Sequence, residues 1–186
     1  AAVRAVPPGQ QSLLDVEEDP EPASARQTPA TPIARPNGAD LDDGETMCAL
    51  RAALAQAAEP LPRVDLVRAA ARAMGYGRTS AKLTNALDDA IRRAVRRGIA
   101  ANERGALSLA TRSIDDYERD ALKAHMLAVV RAQRAWVPRD EVPRLLARWL
   151  GFGRTGARIV DATESVLRSL VRTGELQSQD GAVRPG

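Results

Sequence analysis

The sequence predicts a mainly α fold with small β-hairpin wings, laid down twice in tandem. Three observations carry that reading. Gly75-Tyr76-Gly77-Arg78-Thr79 returns 76 positions later as Gly151-Phe152-Gly153-Arg154-Thr155, and its neighbours return with it. Each copy lies between a short apolar helical stretch and a longer one that opens with basic residues. Behind each longer stretch stand two short segments with a glycine between them, the pattern of a hairpin. Helix, helix, turn, helix and hairpin together describe a winged helix-turn-helix, here present in tandem.

Residues 1–45 precede the repeat. They are rich in Pro, Ala, Asp, Glu and Gly, with no sustained period of either kind. Such a stretch buries too little apolar surface to offset its ordering entropy, so it reads as a disordered acidic Pro-rich linker. Gln11-Ser12-Leu13-Leu14-Asp15 within it has the look of a short docking motif, against the plainer reading of a bland linker.

The first unit is expected at 46–110. Leu50, Ala53, Leu54 and Ala57 recur at helical spacing, and Pro60 with Pro62 stop that helix. A second helix over 63–74 carries Leu66, Val67, Ala70, Ala71 and Met74 inward and ends at Gly75. A third runs from Arg78 or Thr79 to Arg97, with Gly98 behind it. Asn102-Glu103-Arg104-Gly105 then turns a hairpin.

The second unit, 113–186, repeats the plan. Its first helix spans 113–134, with Leu122, Met126, Val129 and Val130 inward. Pro138 matches Pro62, Arg139 matches Arg63, Gly174 matches Gly98 and Gly181 matches Gly105. The second helix carries Val142, Leu145, Leu146, Trp149 and Leu150, and the third covers 154–172. Tyr76 and Phe152 follow matching glycines and read as core plugs that seat the turn. Trp136 and Trp149 read as core or inter-unit contacts, and His125 as a helix-surface or interface residue.

Composition narrows the function. Aromatics are 3% of a chain that is 44% hydrophobic, so helical Ala, Leu and Val cores are expected, not base-stacking platforms. Residues 1–45 hold three Arg against nine Asp or Glu, a net of −6, which leaves +9 on the rest of a chain whose total is +3. A basic folded part behind an acidic tail suits a nucleic-acid binder, although a solvated Arg-rich surface gives the same sum. One cysteine, Cys48, excludes an internal disulfide and points to a reducing cytoplasm. One histidine argues against His-rich metal sites and a catalytic triad. The acidic pairs Asp42-Asp43 and Asp88-Asp89 lack the companions that metal or acid–base chemistry needs. There is no phosphate-binding loop motif, and Gly75-Tyr76-Gly77 is too short for a dinucleotide fingerprint. No apolar run reaches membrane-spanning length and no secretory leader is evident. No enzyme activity, cofactor or metal is therefore expected of this chain. It begins with Ala, not Met, so a longer parent protein is expected.

Residues placed 100° apart divide the third helix of the first unit into two faces. Leu83, Ala86, Leu87, Ala90, Ile91 and Ala94 form the core side. Arg78, Lys82, Asn85, Asp89, Arg92 and Arg96 form the outer side. In a winged helix that outer side enters the major groove of duplex DNA. Arg78 and Lys82 suit phosphate or guanine, Asn85 suits adenine, and Thr79 and Ser80 suit a phosphate at the helix start. The matching face of the second unit holds Arg154, Thr155, Arg158, Asp161, Ser165, Arg168 and Arg172. Asp161 stands where Asn85 stands in the first unit, and a carboxylate is repelled there unless it meets a cytosine amino group. The second unit is thus expected to be the weaker reader, or a phosphate-contacting or packing partner. The alternatives are solvated faces, a protein-interaction or homo-oligomerising module, and a stand-alone transcription regulator.

Trp149-Leu150-Gly151-Phe152-Gly153-Arg154-Thr155-Gly156-Ala157-Arg158-Ile159, with its copy from Ala73 to Leu83, resembles a C-terminal module of the DUF3320 type. That module occurs in large bacterial superfamily 1 helicase-like proteins, as a Trp-Gly-Phe or Leu-Gly-Phe turn followed by Arg-Thr-Gly and a basic Arg-Ile helix start. The second copy follows the pattern more closely; the first departs from it at Tyr76, Ser80 and Lys82. The resemblance implies a helicase-associated tail whose partners are duplex DNA and other domains of a parent ATP-dependent helicase. The ATPase residues of such a parent are absent here.

Overall fold

The computed structural model describes residues 41–186, so the linker reading of 1–40 and the motif at Gln11–Asp15 lie outside the described residues. The first helix, α1 (Asp43–Gln56), starts three residues before the expected boundary at 46. The cause is Asp42, whose Oδ1 accepts from the Glu45 N–H at 2.8 Å and caps the helix. A two-residue strand β1 (Leu61–Pro62) leads into α2 (Arg63–Ala73), and α3 (Ala81–Arg96) follows the Gly75 turn. The hairpin is β2 (Ala100–Glu103) and β3 (Ala106–Leu109).

The second half repeats this order. After a 3-10 turn at Ile114–Asp116 come α4 (Arg119–Gln133), β4 (Val137–Pro138), α5 (Val142–Trp149), α6 (Ala157–Arg172), β5 (Leu176–Gln179) and β6 (Ala182–Pro185). Helices α1, α3 and all three strands have counterparts that begin 76 residues later. The architecture is mainly helical, with two small three-stranded antiparallel sheets ordered β1-β3-β2 and β4-β6-β5. Leu61 pairs with Leu107 in the first sheet, and Val137 with Val183 in the second. Each hairpin turns on two residues with positive φ, Arg104-Gly105 and Asp180-Gly181. That geometry matches the right-handed twist of the flanking strands.

Further boundaries differ from the sequence reading. The helix expected over 113–134 is broken: the Ser113–Asp116 capping box closes a 3-10 turn, and the chain is extended at Tyr117 and Glu118 before α4. The third helices begin at Ala81 and Ala157, not at the Arg-Thr pairs. In the first unit Ser80 is the N-cap, its Oγ accepting from the Leu83 N–H at 3.2 Å, so Arg78 and Thr79 stay in the turn. In the second unit Gly156 holds the cap position with no side chain to offer.

Buried side chains form two clusters. One runs from Met47 to Leu107 and takes in Leu50, Leu66, Leu83, Leu87 and Ile91; the other runs from Ile114 to Val183 and takes in Met126, Leu146, Leu150, Val166 and Leu167. Helix α1 packs on α5 as well as on α2 and so joins the two. At this seam Arg51 is 7% exposed. It donates from Nε to the Leu150 carbonyl at 2.9 Å, from Nη1 to the Thr111 carbonyl, and from Nη2 to Thr111 Oγ1 at 3.2 Å and Tyr117 Oη at 2.9 Å. Its Cζ lies 4.1 Å from the Phe152 ring centroid. Arg97 covers the Trp149 ring at 3.5 Å, donates to the Trp149 carbonyl at 3.0 Å and pairs with Asp43 at 2.7 Å.

The aromatics therefore divide. Tyr76 is a core plug, while Phe152 is half-buried beneath Arg51. Trp149 belongs to the seam. Trp136 does not match its expected core or inter-unit place: it is 37% exposed, with Arg184 over its ring at 4.6 Å. His125 is half-buried and meets the Tyr117 ring edge-on at 5.9 Å.

Candidate nucleic-acid interface

The core face of α3 is set by Leu83, Leu87, Ala90, Ile91 and Ala94, all buried. Ala86 is half-buried at its edge. That burial turns Lys82, Asn85, Asp89, Arg92 and Arg96 outward, and all five are exposed. Arg78 and Thr79 are exposed in the turn just ahead of the helix. A cavity of about 420 Å³ opens beside them, lined among others by Arg72, Tyr76, Arg78 and Thr79. Ser80 is half-buried; its oxygen accepts from the Leu83 N–H, and its hydroxyl proton remains to donate to a ligand.

The cations of this face are not equally available. Arg92 pairs with Asp89 one turn back, and Arg93, at the edge, pairs with Asp43 at 3.0 Å. Asp88 is held by Arg63, which also donates to the Asp88 carbonyl at 3.0 Å and ties α2 to α3. Among the described residues Arg78, Lys82 and Arg96 pair with no carboxylate.

In the second unit Ile159, Thr163, Val166, Leu167 and Leu170 are buried. Arg154, Thr155, Arg158, Asp161, Arg168 and Arg172 are exposed. Arg158 is loosely paired with Asp115 at 3.4 Å, both side chains being largely in solvent. Ser165 is half-buried and accepts from Arg119 Nη1 at 3.3 Å. Arg168 donates to its own helix at the Glu164 carbonyl, 3.4 Å away. The structure thus places the predicted residues of each copy along one outer helix face and the turn before it. It adds Arg119, from the start of α4, to the second face. The signal for Arg119 was present in the repeat, since the matching position in the first unit is Asp43, of opposite charge.

Titration shifts lie mostly at the seam, away from this face. Burial pulls the Arg51 guanidinium below its ordinary range, and the Tyr117 hydroxyl opposes that. The Arg148 hydrogen bond, at 2.7 Å, and the Glu45 N–H hold the Asp42 carboxyl below 3.8; Asp42 in turn raises Arg148. Burial and the Arg97 charge lower His125 below 6.5.

Among the described residues no group of three or more His, Cys, Asp or Glu could hold a metal ion, and no helix is long and apolar enough to cross a membrane. Comparison with protein-family models, curated proteins and solved structures finds no match.

Proposed function

We propose that the two halves are tandem winged helices forming a non-catalytic module that binds duplex DNA, with α3 and α6 as the helices presented to the grooves. The observation that supports this best is the placement of cations. Among the described residues Arg78, Lys82 and Arg96 lie on one exposed face with no carboxylate partner. In the second unit Arg154, Arg168 and Arg172 are likewise exposed and unpaired with any described carboxylate, while Arg158, the counterpart of Lys82, is loosely paired with Asp115. Unpaired guanidinium and ammonium groups in a row cost little in water and gain when phosphates displace counterions. The exposed amide of Asn85, one turn into α3, suits adenine; Asp161 at the matching position suits it poorly. The first unit then reads bases and the second holds backbone. The resemblance of the turn to the helicase-tail module extends the proposal to a larger nucleic-acid-processing parent.

The test is a duplex-DNA titration at two salt concentrations. Log K should fall by about 0.9 per phosphate neutralised for each unit of log salt. Replacing Arg78 and Lys82 together with Ala should weaken binding more than replacing Arg154 and Arg158. Salt-insensitive or absent binding refutes the module, and the reverse order of the variants refutes the division of labour.

A protein-interaction reading draws on a different observation. The second aromatic turn already makes a protein contact, with Phe152 beneath Arg51 of α1. Light scattering with and without a duplex separates the two: a stable dimer that ignores DNA supports this alternative.

A further inference from the structure

The two units share one scaffold but differ in charge where the start of the first helix meets the second half of the third. In the first unit that place is self-compensated. Asp43 opens α1 and pairs with Arg93 and Arg97, and Asp89 pairs with Arg92. In the second unit the counterparts of the two carboxylates are Arg119 and Ser165. Three guanidinium groups, Arg119, Arg168 and Arg172, now line a shallow cavity of about 320 Å³ with Ser165 and Ser169, and among the described residues no carboxylate lines it. Asp120, next to Arg119 in sequence, is paired with Lys123 at 3.0 Å. Neither Glu118 nor Glu164 pairs with any of the three arginines, the Glu164 contact with Arg168 being through its backbone carbonyl.

We infer that this cavity is a phosphate site, with Arg119, Arg168 and Arg172 as its cationic ligands and the Ser165 hydroxyl as a further donor. Arg119 is already positioned across the two helices, donating from Nη1 to Ser165 Oγ at 3.3 Å and from Nη2 to the Ser165 carbonyl at 3.5 Å. A held guanidinium loses less side-chain freedom when an anion arrives. Three like charges around one hollow repel one another until an oxyanion enters, and guanidinium forks match phosphate oxygens in shape. The phosphate can come from solution, as inorganic phosphate, or from a nucleic-acid backbone as a phosphodiester. Only the second source rests on the duplex-DNA reading.

The experiment uses the whole chain and follows the arginine Nε–Hε resonances by NMR. Inorganic phosphate is titrated against sodium chloride of equal ionic strength. Saturable shifts at Arg119, Arg168 and Arg172 with phosphate alone are expected. Ser165→Asp, which restores the carboxylate of the first unit, should weaken phosphate at least about tenfold, the size expected for a charge-assisted contact. Arg172→Gln serves as a second variant at an exposed position. In the DNA arm, Ser165→Asp should lower the salt slope by about one phosphate contact. Phosphate shifts without DNA binding leave the site standing and refute the duplex reading. DNA binding with an unchanged slope and no phosphate shifts refutes the site and leaves the duplex reading intact. Identical shifts in phosphate and chloride also refute the site.

Discussion

Replacing Arg51 with Ala tests whether the two units act as one body. The side chain is buried and makes four hydrogen bonds, to the Leu150 and Thr111 carbonyls, Thr111 Oγ1 and Tyr117 Oη. Hydrogen bonds from a charged donor contribute about 1.5–3 kcal/mol each in mutational series, a gross of roughly 6–12 kcal/mol. Burying the guanidinium without a carboxylate partner costs several kcal/mol, and the alanine variant is relieved of that cost. The loss of the Phe152 contact and of the packed methylene stem adds about 1 kcal/mol. The net is a destabilisation of about 3 kcal/mol. For a chain of this size each kcal/mol moves the midpoint by about 2–4 °C, so Tm should fall by about 6–12 °C. The shape of the transition is the second readout. Because the two clusters of buried side chains are separate, loosening the seam should split one calorimetric transition into two. Arg92→Ala, which breaks an exposed pair with Asp89, is the control and should change stability by less than about 1 kcal/mol. A single transition for Arg51→Ala within about 2 °C of the unmodified chain would refute the seam as a structural joint.

Three further outcomes concern the turn glycines, the helix caps and pH. Gly151→Ala should cost more than Gly174→Ala: both have φ between 70° and 80°, but a Cβ at Gly151 would sit 2.5 Å from the Met47 carbonyl oxygen, whereas nothing lies within 4 Å at Gly174. Gly174→Ala should cost about 1 kcal/mol by urea denaturation and Gly151→Ala clearly more; equal costs would be the contrary result. The helix caps should behave reciprocally, Ser80→Ala losing about 1 kcal/mol and Gly156→Ser gaining a similar amount, because Gly156 has extended backbone at φ −87° with open space at its Cβ. The last outcome concerns pH. His125 has a folded pKa below its ordinary 6.5, so the unfolded chain takes up the proton first as pH falls. Stability should decline from pH 6.5 downward until the folded imidazole also protonates, ahead of any acid loss from Asp42, whose lowered carboxyl acts below 3.8. His125→Gln should flatten the first window in urea midpoints; an unchanged slope would show that the shift has another origin.

Much of the helical plan was legible because helical period and the 76-residue repeat are local signals. The third helices show why boundaries were less so. Arg78 and Thr79 continue the 100° pattern of the outer face, yet Ser80 accepts the Leu83 N–H and starts the helix after them. Strands β1 and β4 have two residues each and end in proline, so no alternation could reveal them; they exist because β3 and β6 offer a free edge. The outer faces could be read from the sequence, since burial of Leu83 and Leu87 forces Lys82 and Asn85 outward. Which cations lie free could not, because pairing depends on neighbours distant in the chain: Arg93 meets Asp43 fifty positions away. Arg51 was the least legible of all. It sits on the first helix at a position matched by Leu127, and only the docking of α5 turns a surface arginine into a buried joint.

The same duplicated turn has therefore taken two roles, and the reason lies in what packs against it. At the first copy Tyr76 is drawn into its own core, which leaves Gly77, Arg78 and Thr79 facing solvent beside the start of α3. At the second copy Gly151 lies against the Met47 backbone of α1, and Phe152 stays half-buried to carry Arg51. Glycine is required there twice over, for the positive φ and for the close approach. One turn sequence can serve both ends because its first half seats against protein while its Arg-Thr half remains outside in each copy. Divergence has accumulated where a unit meets its neighbour or the solvent, at Arg51 against Leu127, Asp43 against Arg119 and Asp89 against Ser165. Most buried positions between them remain apolar in both halves, since an unpartnered polar group there is costly; the exception at the matched pair Leu87 and Thr163 is a fully buried threonine whose hydroxyl finds no partner among the described residues.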